Sequence, residues 1–347
     1  MVFNWDASYR EPVEMVEEVI SGGGIIPVDI DLEKEQLVWM DVSNYHFWES
    51  YFFISVERLR KKRLNSFFSD LSVLDSARIV ENTIYPSGFI FHIGRCGSTL
   101  ISKALARSKE NLVISEAPPH FLIWSIWNRD WVNPFVYTEE HIQRYRNLIL
   151  AIGRKRRASY RAHFIKFTTF NIMYVDFIRR VFPDVPIIFL YRDPAEVMVA
   201  FSDQGPGWQR FKDSAFGAYV AGCSLNEVKT MSNQSFHEHF LNQFMLAALQ
   251  TSPKGLSFIN YNQLTPNSFD TILKTFNYSV GGEELEQMKK QFEYYAKDDD
   301  EQKRFVSDTG EKRQKITPEI EKLVGERLIH LYGQLENAEN NFSKQIV

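Results

Sequence analysis

The chain has 347 residues, enough for one large domain or a domain with a smaller companion. Hydrophobic residues make up 44%, and 40 Lys+Arg against 44 Asp+Glu leave a net charge of −4, which argues against a nucleic-acid binder or a protein of anionic membranes. The two cysteines, Cys96 and Cys223, supply no disulfide framework and fit a reducing, cytoplasmic compartment.

Residues 1–10 carry charge and no apolar run, so they do not read as a signal peptide. No stretch approaches the roughly 20 apolar residues of a membrane helix. After the loop Gly22-Gly23-Gly24, residues 25–30 and 37–42 read as two strands of a hairpin. Residues 47–63 read as a helix with Trp48, Tyr51, Phe52 and Ser55 on one side and a basic end. Residues 1–82 are therefore expected to form a small N-terminal α+β element, in which no chemistry is visible. From residue 83 to 347 apolar runs alternate with helical patterns. Strands are expected at 89–93, 112–114, 164–167, 187–191 and 256–259, and helices at 98–107, 139–157, 171–182, 195–201 and 236–249. That alternation predicts an α/β domain, a central parallel sheet with helices on both faces. The last helix begins with Thr317 as N-cap and Pro318 at its first position, and Ile320, Leu323, Val324, Leu328, Leu331 and Leu335 make one apolar stripe.

The strongest local signal is the apolar strand running into Gly94-Arg95-Cys96-Gly97-Ser98-Thr99. Glycines allow close backbone approach, a helix start aims free N–H groups at an anion, Arg95 adds charge, and Ser98 and Thr99 add hydroxyls. No G-x-x-x-x-G-K-[ST] is present, so the loop is not that of a lysine- and magnesium-dependent ATPase or kinase. A second apolar strand ends in Tyr191-Arg192-Asp193-Pro194. In a parallel sheet its carboxyl end shares an edge with the first loop, which sets Arg192 beside Arg95.

R-x-G-S-T after an apolar strand, with F-L-Y-R-D-P-x-E-V before a helix, resembles the sulfotransferase family. The resemblance implies a P-loop nucleotide-binding type of α/β fold over residues 84–335 and a donor, 3′-phosphoadenosine 5′-phosphosulfate (PAPS), that leaves as PAP. It assigns Arg95, Gly97, Ser98 and Thr99 to the 5′-phosphosulfate and Arg192 to the 3′-phosphate. The serine usually found eight residues after that Arg is Ala200 here. Ser202 could replace it only from a loop or a distorted helix, since a two-residue offset turns about 200° on a helix. Residues 308–313 resemble the basic segment that closes over the nucleotide, and Lys312 and Arg313 could supply the contact.

Sulfuryl transfer needs a base for the acceptor proton and positive charge for the leaving oxygen; no metal is required of it. Arg95 is placed for the leaving oxygen. Glu116 ends the strand after the loop helix and is the candidate base, unless it pairs with a neighbouring Arg; His120 competes for the role. Lys166, at another strand end, could touch sulfate or acceptor. Cys96 is expected to have a lowered pKa beside the helix start and Arg95. The basic residues of 144–161 read as a solvated face, and 297–301 as a solvated acidic connection. Trp124, Trp127, Trp131, Phe121 and Ile123 read as core or as the wall of an acceptor pocket. His237 and His239 lie two apart and face different ways, so no metal site is expected there. The reading is a sulfotransferase acting on a small-molecule, carbohydrate or lipid-like hydroxyl or amine. Its rivals are a P-loop kinase or nucleotide hydrolase, and a non-catalytic nucleotide-binding protein of the same fold.

Overall fold

The structure is a computed structural model that describes residues 23–43, 45–62, 66–131, 135–251 and 255–344. The readings of residues 1–10, of Gly22 and of Arg63 lie outside these. Two sheets organise the chain. Strands β1 (Ile25–Asp31), β2 (Gln36–Asp41) and β3 (Ser66–Asp70) form an antiparallel sheet in that order. The expected hairpin is β1 and β2, with Ile26 opposite Met40. Pro27 is tolerated because β1 is an edge strand. β3 was not legible in the sequence; its place is set by pairing along β2 and by Trp39 Nε1 donating to Ser69 Oγ at 2.8 Å.

The second sheet contains β4 (Gly88–His92), β5 (Asn111–Ser115), β6 (Ala162–Lys166), β7 (Ile187–Tyr191) and β8 (Leu256–Asn260). Its order is β5-β6-β4-β7-β8 and every pairing is parallel. All five strands are buried at every position, as expected of short apolar runs covered by helices on both faces. The chain leaves β4 towards β5 and β6, then crosses β4 to reach β7 and β8. The order therefore reverses between β4 and β7, and parallel α/β sheets open a crevice at such a point.

Helix Glu139–Ile152 is shorter than the sequence pattern suggested, because Gly153 ends it. The basic residues along and after it are not the solvated face expected. Arg154 is buried, donates to the Ile25 carbonyl at 2.6 Å and stacks over Trp39. Arg144 forms a two-point pair with Asp75 at 2.8 and 2.7 Å, and Arg156 lies 4.9 Å above the Phe47 ring. These cations clamp the N-terminal sheet and its following turns to the main sheet, and the apolar residues of both join one core. Trp124 belongs to that core, stacked on Tyr174 at 3.9 Å, rather than to a pocket wall. The last helix, Pro318–Asn337, is capped as expected by Thr317, which accepts from the Ile320 N–H. No described helix is long and apolar enough to cross a membrane.

Candidate active site

β4 delivers the chain into a loop in which Gly94 (φ 88°), Arg95 (φ 54°) and Gly97 (φ 82°) are left-handed. This tight turn of positive-φ residues ahead of a helix start forms a nest in which backbone N–H groups can meet an anion. Gly97 is the N-cap of helix Ser98–Ala106, and no side chain caps that helix. Its first N–H groups are thus left for a ligand. Gly97 is required twice over, since a Cβ there would lie 2.5 Å from Leu264 Cδ1 in addition to the positive φ. Gly97→Ala is expected to cost about 1–2 kcal/mol, the penalty of an L residue in this region. Urea unfolding midpoints test this, and an unchanged midpoint would show that the loop relaxes freely.

Arg95 points out of the loop. Its Nη2 donates to the Gln204 carbonyl at 3.2 Å and lies 3.4 Å from the Gln204 side-chain oxygen, and no described carboxylate pairs with it. Cys96 faces the other way. It is fully buried and its thiol donates to the Leu190 carbonyl at 3.2 Å. Burial pushes the thiol up to about 11, which corrects the expectation of a lowered pKa: loss of solvent outweighs the backbone N–H groups of the loop and helix start and the Lys166 charge. Ser98 and Thr99 are both buried at the helix start.

Glu116 and Lys166 meet because β5 and β6 are in register, with Ser115 opposite Lys166 and the Glu116 N–H donating to the Lys166 carbonyl at 2.7 Å. The Glu116 backbone is left-handed at φ 56°, a conformation uncommon for residues other than glycine. Its carboxylate is ion-paired with Lys166, whose ammonium also donates to Thr99 Oγ1 at 3.3 Å. The partner is a lysine, not the arginine that sequence reasoning offered. His92 Nε2 lies 3.4 Å from the same carboxylate oxygen and 3.1 Å from the Phe167 carbonyl, while Nδ1 accepts from the Gly94 N–H at 3.1 Å. These partners assign the proton to Nε2. Burial lowers the His92 pKa further than its Glu116 bond restores it, so the ring is neutral. For Glu116, burial alone would raise the pKa; the Lys166 ammonium and then His92 reverse this and hold it at about 2.

Arg192 follows β7 and is almost wholly buried. Nε donates to Glu196 at 2.7 Å, and Nη2 donates to Asp308 at 2.9 Å with the Thr309 hydroxyl 3.3 Å away. Nη1 reaches the Arg95 carbonyl at 3.4 Å, and the guanidinium lies 4.1 Å above the Tyr261 ring. Asp193 takes no part; it caps helix Pro194–Asp203 by accepting from the Ala195 N–H. Helix Thr309–Gln314 lies against this helix, bringing Lys312 to Asp308 at 2.6 Å and Arg313 to Glu196 at 2.9 Å. Three cations thus share two carboxylates. Ser202 does not join them: the helix runs unbroken to Asp203, and the exposed Ser202 hydroxyl donates back to the Met198 carbonyl at 3.1 Å. His120 is set in the core against Phe167 rather than at the sheet edge. Among the described residues neither of its ring nitrogens has a hydrogen-bond partner, and burial lowers its pKa to about 3.

His92, Gln204, Tyr261, Thr309 and Tyr51 were missed in the sequence. Tyr261 follows β8, so the edge argument that found Arg192 would have found it. Tyr51, whose hydroxyl lies beside Thr99 and whose ring is 5.0 Å from the Lys166 ammonium, comes from the N-terminal element and carries no such signal.

A parallel sheet with an uncapped helix start after its central strand and cations gathered around the buried Arg192 after the next offers two places for anions on one edge. The chain belongs to the sulfotransferase family, which it matches over residues 88–272. No curated protein matches it. Among solved structures it is similar to a sulfotransferase from Mycobacterium tuberculosis, 13% identical, covering 62% of this chain and 73% of that one with a TM-score of 0.40. A sulfotransferase from Mycobacterium avium is 11% identical, covering 94% and 98% with a TM-score of 0.39. The sulfotransferase domain of a Synechococcus olefin synthase is 13% identical, covering 74% and 97% with a TM-score of 0.39.

Proposed function

We propose that the chain transfers a sulfuryl group from PAPS to a hydroxyl or amine of a small acceptor, releasing PAP. One observation carries this reading. Two cationic sites stand on one sheet edge, an open nest with Arg95, which has no carboxylate partner among the described residues, and a cluster around Arg192, and the hydrogen bond from Arg192 to the Arg95 carbonyl joins them. That spacing of sites suits a nucleotide with phosphates at both ends of its ribose.

The nest N–H groups, Arg95, Ser98 and Thr99 hold the 5′-phosphosulfate. Arg192, Lys312 and Arg313 hold the 3′-phosphate, and the Thr309 hydroxyl, already at Arg192, supplies what Ala200 lacks. The donor brings the sulfuryl group, whose sulfur bonds to the acceptor oxygen or nitrogen as its bond to the 5′-phosphate oxygen breaks and leaves its electron pair there. Arg95 stabilises the charge on that oxygen. Glu116 takes the acceptor proton. An anion in the nest draws Lys166 towards it, which leaves Glu116 more basic than in the empty site. The two free cysteines support a cytoplasmic setting.

Calorimetry with PAP and ADP tests the reading. Wild type is expected to bind PAP more tightly than ADP, and Arg192→Ala to lose that preference, worth about 1.5–3 kcal/mol for a charged hydrogen bond. Equal wild-type affinities would overturn the proposal, and ATP turnover that needs magnesium would favour a kinase or hydrolase.

A further inference from the structure

The acidic stretch that follows the turn Lys290–Glu293 is not the solvated connection its sequence suggests. Asp299 accepts from the Ser50 N–H at 2.8 Å, from the Ser50 hydroxyl at 2.6 Å and from the Lys103 ammonium at 3.0 Å. Trp48 Nε1 donates to the Asp299 carbonyl at 3.3 Å, and Arg107 pairs with Glu301. Lys103 is itself buried, belongs to the helix that starts at the nest, and lies 4.4 Å from the Trp48 ring. Residues 294–301 therefore form a strap, tied at one side to the N-terminal element and at the other to the loop helix.

Lys297 sits on this strap and is exposed. Its ammonium is 5.9 Å from the Tyr51 ring, the same ring that Lys166 approaches at 5.0 Å. The charged groups near enough to act on it are Arg95 from the loop, Lys166 from the end of β6 and Glu116 from the end of β5. Among the described residues no carboxylate is bonded to it. The main neighbours are those of the sulfuryl side of the site, not the Arg192 cluster. Three cations and one carboxylate gathered between the Tyr51 ring and the loop leave uncompensated positive charge where an anion would relieve it.

We propose that Lys297 is a ligand of the transferring sulfuryl group, delivered over the nest by the strap, with Ser50 and Trp48 as its anchors. This rests on the PAPS reading. It also gives the N-terminal element a task, since two of the strap's ties run to it. Crowding by the surrounding protein, then the charges of Arg95 and Lys166, lower the Lys297 pKa to about 8. A bound sulfonate offsets those charges and raises it again. PAPS binding near pH 8 should then take up protons.

Calorimetry of PAPS and PAP, without acceptor, on wild type, Lys297→Met and Lys297→Arg tests this. The two nucleotides differ at the 5′ end by the sulfuryl group. Lys297→Met is expected to weaken PAPS about 10–100-fold, the scale of one charged hydrogen bond, and to leave PAP within about twofold. Lys297→Arg should retain most of the PAPS affinity. Proton uptake at pH 8, read from buffers of different ionisation heat, should be lost in Lys297→Met. Retained PAP affinity is the control for folding. If Lys297→Met bound PAPS like wild type, or lost PAP and PAPS equally, the assignment of Lys297 would be overturned with the donor reading intact. If wild type bound neither nucleotide, the donor reading itself would fall.

Discussion

Glu116→Gln is expected to lower PAPS-to-PAP turnover by about 10²–10⁴-fold, the contribution of a positioned base, while PAP binds nearly as before. A panel of phenols, alcohols and amines serves as acceptors. Gln keeps the size and the hydrogen bonds of Glu but cannot take a proton. The structure adds a pH signature. In the free site Glu116 is held at about 2 by Lys166 and His92, so kcat/KM, which reports the free enzyme, should show no acidic limb from it near neutrality. The limb should emerge in kcat, where bound donor competes for Lys166. The variant also leaves the buried Lys166 ammonium without its carboxylate. The folded pKa of Glu116 is depressed from 4.5 to about 2, so the stability it contributes is complete above about pH 4.5 and is lost as pH falls through about 2. That contribution is on the order of 3 kcal/mol. Urea unfolding at several pH values should show this acid dependence in wild type and not in Glu116→Gln. Near-normal turnover in the variant would place the base elsewhere. Loss of PAP binding along with turnover would make Glu116 a partner of Lys166 and nothing more.

Arg95→Ala is expected to remove about 2–4 kcal/mol of transition-state stabilisation, the scale for one preorganised electrostatic donor. Arg95 has no carboxylate partner among the described residues, and only the Gln204 oxygens hold its guanidinium. The protein therefore gains little stability from this charge. It also holds Arg95 at φ 54°, which costs an L residue about 1–2 kcal/mol. Arg95→Gly separates the two effects. It should lose activity as Arg95→Ala does while raising the unfolding midpoint, because glycine adopts this backbone freely. Wild-type turnover in either variant would remove Arg95 from the mechanism.

What could be read from the residues alone was whatever depends on near neighbours in the chain. The five strands of the parallel sheet are continuous apolar runs because both faces are covered, and that pattern survives without knowledge of what covers them. The nest is equally local: two glycines, a helix start and a charge lie within a few residues. Arg192 was legible through one topological rule, that parallel strands end at a common edge. What the sequence could not decide was direction and partner. Arg95 and Cys96 are adjacent, yet one faces solvent and the other the core, so the thiol pKa rises where local charge alone would lower it. β3 has only two apolar residues, Phe67 and Phe68, among its five and exists because β2 offers it an edge. Arg154 became a buried clamp only when the N-terminal sheet was laid over it. Glu116, Lys166, Tyr51 and Lys297 come from four distant segments, and their charges acquire meaning only from the distances that packing sets between them. Coulomb interactions and desolvation depend on position in space, and that position is a property of the whole fold.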